Sequence, residues 1–285
     1  MTTAPTATRR SAPRILACRV CDSPAPAEHR VDDVVLHRCP QCDHCFTDVE
    51  SLQHLGEYDP AWEALHENWF ANPNVALFAL VAETIARHKA DATVIDIGAG
   101  RGELLTYLRD HNPRLELTGL DLSLQPEIDG VEVMRADINS VDLGDRRWDV
   151  AVTLATIEHV DDVRTFATRL RSLVVPGGLV IVTTNNERST TYDVARVLKR
   201  MGYDVPFDRL YDRHHLNHFN LRSLRTLLER SGLRPLRLHR HNIPLAAVDM
   251  PKESVLLKLG VWGTFALGRL TGRTFFQTLV LERPR

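Results

Sequence analysis

The sequence predicts an α/β chain: a doubly wound, mostly parallel sheet with helices on both faces, preceded by a small cysteine-rich module. Three observations carry that prediction. Five cysteines crowd into positions 18, 21, 39, 42 and 45, and the remaining 240 residues contain none. From Thr93 onward, short β-branched runs alternate with helical patterns on short connections, the rhythm of βαβ units. The first of those runs opens directly into Gly98, Gly100 and Gly102, glycines at alternate positions. With 285 residues, 44% apolar and 25% charged, the chain has room for one large domain and an appendage, which excludes a disordered or collagen-like protein.

The formal net charge of −2 conceals a polarised chain. Residues 1–163 carry 14 basic and 28 acidic side chains, whereas residues 164–285 carry 21 basic and 9 acidic. Either the halves neutralise each other in the fold, or the basic half meets an anionic partner.

Taken in order, Met1 to Pro13 is Thr/Ala/Pro-rich with Arg9 and Arg10 and has no apolar core. Residues 1–16 are therefore expected to be a disordered tail, not a secretory signal, and the expected location is the reducing cytoplasm. Residues 17–50 form the cysteine module. Cys18-x2-Cys21 and Cys39-x2-Cys42 have the two-knuckle spacing of a four-cysteine zinc ribbon, in which each turn points two thiolates at one ion. Such a short segment has too few apolar residues to fold alone, so a structural zinc would supply its folding energy. Disulfides are disfavoured without secretion. Cys45 and His44 remain alternatives for the fourth ligand. Residues 51–90 read as a helical linker, with Trp62, Leu65, Trp69 and Phe70 on its first part and Val75 to Arg87 almost free of breakers.

The main domain is expected over residues 91–285. Strands are predicted at Thr93–Ile97, Leu115–Asp121, Val131–Met134, Trp148–Leu154 and Leu179–Thr184, with helices at Glu103–His111 and Val163–Val174. Arg237–His241 and Thr274–Leu281 supply a sixth and a seventh strand. In such sheets ligands bind at the carboxyl ends of the strands. A dinucleotide fingerprint needs a third glycine at 103, where Glu103 stands, and no Gly-Lys-Ser/Thr phosphate loop exists. The glycines instead let backbone approach a ligand that lacks a pyrophosphate. Asp121 can accept hydrogen bonds from two ribose hydroxyls, and Asp137, beside apolar Ile138, one from an adenine amine.

The runs Val94–Gly102 (VIDIGAGRG), Leu120–Leu122 (LDL), Ala136–Ile138 (ADI), Trp148–Val160 (WDVAVTLATIEHV) and Leu173–Leu179 (LVVPGGL) resemble class I S-adenosylmethionine-dependent methyltransferases. The likeness covers roughly residues 91–240 and is greatest to the branch containing ubiquinone-biosynthesis O-methyltransferases. It implies a Rossmann-like, seven-stranded fold. It also implies S-adenosyl-L-methionine held by Asp96, Gly98, Ala99, Gly100, Gly102, Asp121, Leu122, Asp137, Ile138 and Leu154, the last near the sulfonium. A zinc ribbon ahead of such a domain is similar to sugar and natural-product methyltransferases.

Methyl transfer to a hydroxyl needs alignment and removal of a proton, a task suited to histidine. Candidates are His215, then His218, then His159. His159 follows the fourth strand, while His215 and His218 precede the helix Leu221–Ser231 in a pattern similar to that branch's His-Leu-x-x-Phe-Ser segment. Asp212 has no evident helical spacing with both histidines, which disfavours a metal pair there. Two insertions are expected. Residues 187–213, with Tyr192, Tyr203, Phe207 and Tyr211 as aromatic surface, read as a substrate lid or a packed connector. Residues 245–272 contain the apolar run 254–269, for which core packing is the first expectation. An apolar substrate wall, a membrane-surface contact or a homodimer contact are the others.

The expected activity is methylation of a small metabolite, a sugar or a natural-product intermediate. The acceptor is expected to be anionic, nucleotide-linked or carrier-bound, given the basic half. Rival readings are an RNA methyltransferase, which the scattered arginines without an aromatic platform disfavour, and a non-catalytic cofactor-binding scaffold.

Overall fold

A computed structural model describes residues 14–31, 34–52, 67–123, 126–248 and 255–285. The expected tail Met1–Pro13 and the Trp62 and Leu65 portion of the expected linker lie outside the described residues. The chain order is β1 (Ile15–Ala17), β2 (Pro24–Val31), β3 (Val34–Arg38), β4 (Cys45–Thr47), α1 (Glu67–Ala71), α2 (Val75–His88), β5 (Thr93–Ile97), α3 (Glu103–His111), β6 (Glu116–Asp121), β7 (Val131–Arg135) and β8 (Trp148–Leu154). It continues with α4 (Val163–Leu173), β9 (Val174–Asn185), α5 (Thr190–Arg200), α6 (Val205–Leu210), β10 (Asn217–His218), α7 (Leu221–Arg230), β11 (Arg234–His241), α8 (Val255–Thr271) and β12 (Phe276–Glu282).

The larger sheet runs β7-β6-β5-β8-β9-β12-β11, and only β12 runs against its neighbours. Strand order reverses at β5, so the carboxyl ends of β5, β6 and β8 border the crevice where doubly wound sheets bind ligands. Period-two alternation sorts the core. Val94, Val150 and Val152 face α2 and α3 through Val81, Ile85 and Leu104, whereas Ile95, Ile97 and Ala151 face α4 and α7 through Phe166, Leu170 and Leu227.

Several expectations are corrected. Residues Ile15 and Leu16 pair in β1 and do not belong to a tail. The C-terminal part of the expected linker is core: Leu77, Val81 and Ile85 bury one face of α2 against the sheet. The strand β9 starts at Val174 and runs through Pro176, because Gly177 N–H donates to Arg283 O and Arg283 N–H to Gly178 O, extending the pairing with the C-terminal strand. From Val255 on, the apolar run is not core. It forms α8, which buries Phe265 and Gly268 but leaves Leu256 84%, Trp262 60% and Leu270 85% exposed. No helix among the described residues is long and apolar enough to cross a membrane.

The smaller sheet is the unexpected feature. It is antiparallel, in the order β1-β2-β3-β4-β10, and its last strand comes from the histidine-rich segment far along the chain. The insertion 187–213 joins the two sheets. Tyr192, Phe207 and Tyr211 are buried with Val31, Val34 and Leu36 of the small sheet, so of the four aromatics only Tyr203 offers surface. Hydrophobic burial explains the difference: the exposed face of a short sheet needs a cover, and these rings provide it.

Candidate active site

At the carboxyl end of β5 the backbone turns sharply. Gly98 N–H and Ala99 N–H both donate to Leu120 O, fixing the glycine loop to the end of β6. Gly98 has φ +73°, and a Cβ there would lie 2.2 Å from Thr156 Oγ1, so only glycine fits. Thr156 in turn donates to Ile97 O and Leu154 O, closing the ends of β5 and β8 together. The residue before it, Ala155, is held at φ +53°, a left-handed conformation rare for alanine.

Asp121 faces the loop: Oδ2 accepts from Gly100 N–H at 2.9 Å, and Oδ1 accepts from Ser123 N–H and Oγ–H. A carboxylate has about four acceptor positions, so it retains capacity for a further hydroxyl. Leu122 beyond it is 68% exposed, while Ile138 is buried and Asp137 exposed. Asp96 is buried, and burial together with the Asp121 and Glu103 charges raises its carboxyl to about 8. Arg101 stacks on Phe70, so α1 covers the loop from outside. Open space above Gly100, where a Cβ would meet nothing within 4 Å, leaves a cradle at the point where the motif residues converge.

A cluster of histidines and carboxylates lies beside the end of β8. Glu158, His159 and His215 each place one potential ligand atom within 4.8 Å of the others. The rings of His159 and His215 are 4.8 Å apart. His159 Nδ1 is 2.8 Å from His214 O, and burial plus the nearby His215 depresses this imidazole to about 3. His215 Nδ1 lies 3.4 Å from Asp212 Oδ2. Burial pushes the Asp212 carboxyl up, but the neighbouring His215 ring and the His214 backbone N–H together prevail and hold it below the usual range. Glu158 is buried, accepts from Thr184 Oγ1 at 2.8 Å, and has its carboxyl pushed up by burial. His218 is set apart: it is buried on β10 against Tyr211, 6.3 Å from the His215 ring, and burial keeps it neutral. It does not cap α7, whose N-cap is Asn220.

A turn, not a helix, brings Asp212 to His215. Its position three residues before His215 was the available signal. Asn217 was missed altogether. Its Nδ2 donates to Val160 O at 2.6 Å, and its Oδ1 lies 3.3 Å from His44 Nε2.

In the small module the four cysteines converge. Cys18 and Cys42 Sγ are 3.5 Å apart, as are Cys21 and Cys39 Sγ, and all four lie within 4.8 Å. The edge of a tetrahedron with ~2.3 Å metal–sulfur bonds is about 3.8 Å, so the thiols are spaced as zinc requires. The knuckles match: Asp22 N–H donates to Cys18 O and Asp43 N–H to Cys39 O, each aspartate at positive φ. Cys45 and His44 are outside the cluster; Cys45 is buried at the start of β4, and His44 stacks on Phe46 and Phe219 with burial holding it near 3.

Comparison with known proteins agrees with this geometry. Residues 69–238, more than half of the chain, match the family described as a methyltransferase domain. A malonyl-[acyl-carrier protein] O-methyltransferase of Pseudescherichia vulneris is 34% identical over 99 residues, 33% of this chain and 39% of that protein. A ubiquinone biosynthesis O-methyltransferase of Rickettsia bellii is 28% identical over 114 residues, 36% of this chain and 46% of that protein. The chain thus spans less than half the length of these two relatives. The plantazolicin methyltransferase BpumL, solved in complex with SAH, shares the fold with a TM-score of 0.54 at 16% identity, covering 80% of this chain and 92% of that one. The glycine loop, the sheet order and the extent of the match lead to one conclusion: the chain belongs to the methyltransferase domain family, on the class I S-adenosylmethionine-dependent fold.

Proposed function

We propose that the chain methylates an oxygen of a small-molecule acceptor, with S-adenosyl-L-methionine as donor and His215 as general base. A glycine loop after β5, with His159 after the adjacent strand β8 and the His215–Asp212 turn beside His159, is the observation that carries this reading. Gly98 to Gly102 follow β5, Asp121 ends β6 with Leu122 just beyond it, Asp137 and Ile138 follow β7 and Leu154 ends β8, all at the carboxyl side of the sheet. These residues, with buried Asp96, are assigned to the donor. When bound, the donor supplies an electrophilic methyl group on a sulfonium. The chain's own residues do the rest. Asp212 beside Nδ1 favours the tautomer with a proton there, which turns the Nε2 lone pair into the proton acceptor. Of the other two candidates, His159 has Nδ1 engaged by a backbone carbonyl and His218 is enclosed, so His215 is preferred.

The names of the two curated relatives support oxygen as the target and a small or carrier-bound acceptor. The charge argument for an anionic acceptor, and with it the RNA reading, is weaker than the sequence suggested. Arg164 and Arg230 pair with Asp22, and Arg188 with Asp43, so basic side chains of the second half neutralise the acidic module. The four thiols are assigned to a structural zinc, since four protein ligands leave no position for water.

The test is a two-variant experiment. Asp121→Ala is expected to weaken SAM binding in calorimetry. His215→Ala should leave that binding intact and slow transfer to a panel of phenolic, carboxylic and carrier-bound acceptors by about 10²–10⁴-fold. Unchanged transfer in His215→Ala removes the base assignment, and absent SAM binding in the unaltered chain removes the whole reading.

A further inference from the structure

The second cysteine knuckle and the strand that follows it are bonded to the histidine-bearing segment 214–220. The strand β10 pairs with β4, setting Asn217 opposite Phe46 and His218 opposite Cys45. Thr47 adds two bonds, its N–H to Leu216 O at 3.0 Å and its hydroxyl to His215 O at 3.1 Å. Asn220 Nδ2 donates to Asp43 O, the carbonyl immediately after Cys42, at 2.6 Å. At the centre is Asn217, only 1% exposed. One end of its amide meets His44 inside the knuckle. The other holds Val160 O, the carbonyl that follows His159. A single buried side chain therefore spans three segments remote in sequence, residues 39–45, 157–160 and 214–220.

We propose that Asn217 is a positioning residue that couples the cysteine knuckle to the His159–His215 pair, so that metal in the module sets the geometry of the acceptor edge. The physical argument is enclosure. Both ends of a buried amide must stay bonded, so displacement of the knuckle at one end draws the 157–160 turn at the other. The bonds from Thr47 to Leu216 and His215 fix the second half of the pair to the same strand. Among the described residues the glycine-loop edge has none of these links; its bonds run between the ends of β5, β6 and β8. The inference rests on the reading that His215 serves the acceptor, and it assigns control of that residue to the module.

The test uses the zinc-loaded full chain with ¹³Cε1-labelled histidine. Asn217→Asp keeps an acceptor for His44 but turns the donor toward Val160 O into a repelling oxygen. The expected result is displaced His159 and His215 resonances and loss of their mutual NOE, with zinc retained and SAH affinity altered by less than about twofold. Zinc removal from the unaltered chain by a chelator should displace the same two resonances. His44→Phe, which preserves the stack on Phe46 and Phe219, provides a second variant should Asn217→Asp fail to fold, and should displace them too. Histidine resonances unmoved by these variants and by chelation overturn the proposal. So does a parallel fall in zinc content, SAH affinity and melting temperature, which marks a merely structural role. Transfer by His215→Ala is scored separately, so failure of the base assignment and failure of the coupling are distinguishable.

Discussion

The two edges that meet over β5 and β8 are built in opposite ways. The cofactor edge is local: a strand, a turn and a helix contiguous in sequence, closed by backbone bonds to the next strand. The proposed acceptor edge is assembled from side chains of distant segments, and several of the bonds that hold it reach back to the first fifty residues. Its anchor is Glu187, fully buried, which receives Arg38 at 2.6 Å, Arg196 at 2.7 Å and the Tyr211 hydroxyl at 2.5 Å. A local site is stable wherever its sheet is stable. A site made of long-range polar contacts depends on each of its parts, and one of those parts holds the cysteine cluster.

Removing a thiolate should break that contrast most severely. Cys39→Ser leaves three ligands, and structural zinc sites carry folding energy on the order of 10 kcal/mol. The amides of 34–47 and 214–220 are expected to lose hydrogen-exchange protection while those of 93–121 keep theirs. Equal loss at both edges would show that the comparison is false. Glu187→Ala should come next. It removes the buried carboxylate that Arg38 and Arg196 share, leaving Arg38 with Glu28 and Asp43 and Arg196 with Asp193, so the cost is expected to be about 1–3 kcal/mol. Thermal unfolding measures it, and a change near zero would mean that water reaches Arg38 and Arg196 readily.

The same contrast explains what was legible in the sequence. Asp96, Gly98, Gly100, Gly102 and Asp121 stood out because their job is local: backbone torsion at a turn and a carboxylate at a strand end. The two-residue spacing of the knuckles is equally local, and four of the five thiols converge accordingly. Asn217 and Glu187 gave no such signal. Each is an ordinary polar residue in a segment with loop-like composition, and its importance comes from partners over 140 residues away. The apolar segment misled for a related reason. Hydrophobicity on every side of α8 suggested burial, but of its seventeen residues only Phe265 and Gly268 are buried, Phe265 packing against Ile243, Phe275 and Phe276 at the sheet margin.

Acid should separate the edges more gently. Burial holds His44 and His159 near 3, well below the ~6.5 of an unfolded histidine. Between those values the unfolded chain binds more protons, so stability falls as pH drops from about 6.5 toward 3, by up to about 1.4 kcal/mol per pH unit for each ring. Asp96 acts in the reverse sense. Its carboxyl is raised to about 8, so protonation favours the folded state as pH falls from there toward the ~3.9 of the unfolded group. Exchange measured at pH 7.5 and pH 5 should therefore show the acceptor edge opening first, and an equal response at both pH values would remove the histidine argument.

The smallest expected change in stability falls at Gly100, and it sharpens the cofactor half of the comparison. This residue sits at φ +56°, and a Cβ would meet nothing within 4 Å. Gly100→Ala therefore carries only the torsional cost of a left-handed alanine, about 1–2 kcal/mol, with no clash to add. Yet the new methyl would project into the open space above the loop, next to the N–H that binds Asp121. If a ligand packs directly on that backbone, SAH affinity should fall by far more than the stability does, on the order of tenfold or greater, because overpacking a close approach costs about 1–3 kcal/mol on its own. Parallel calorimetric and melting measurements decide it. A loss of stability without a loss of affinity would mean that the cradle is occupied elsewhere along the glycine loop, and that the close backbone approach belongs to Gly98 or Gly102 instead.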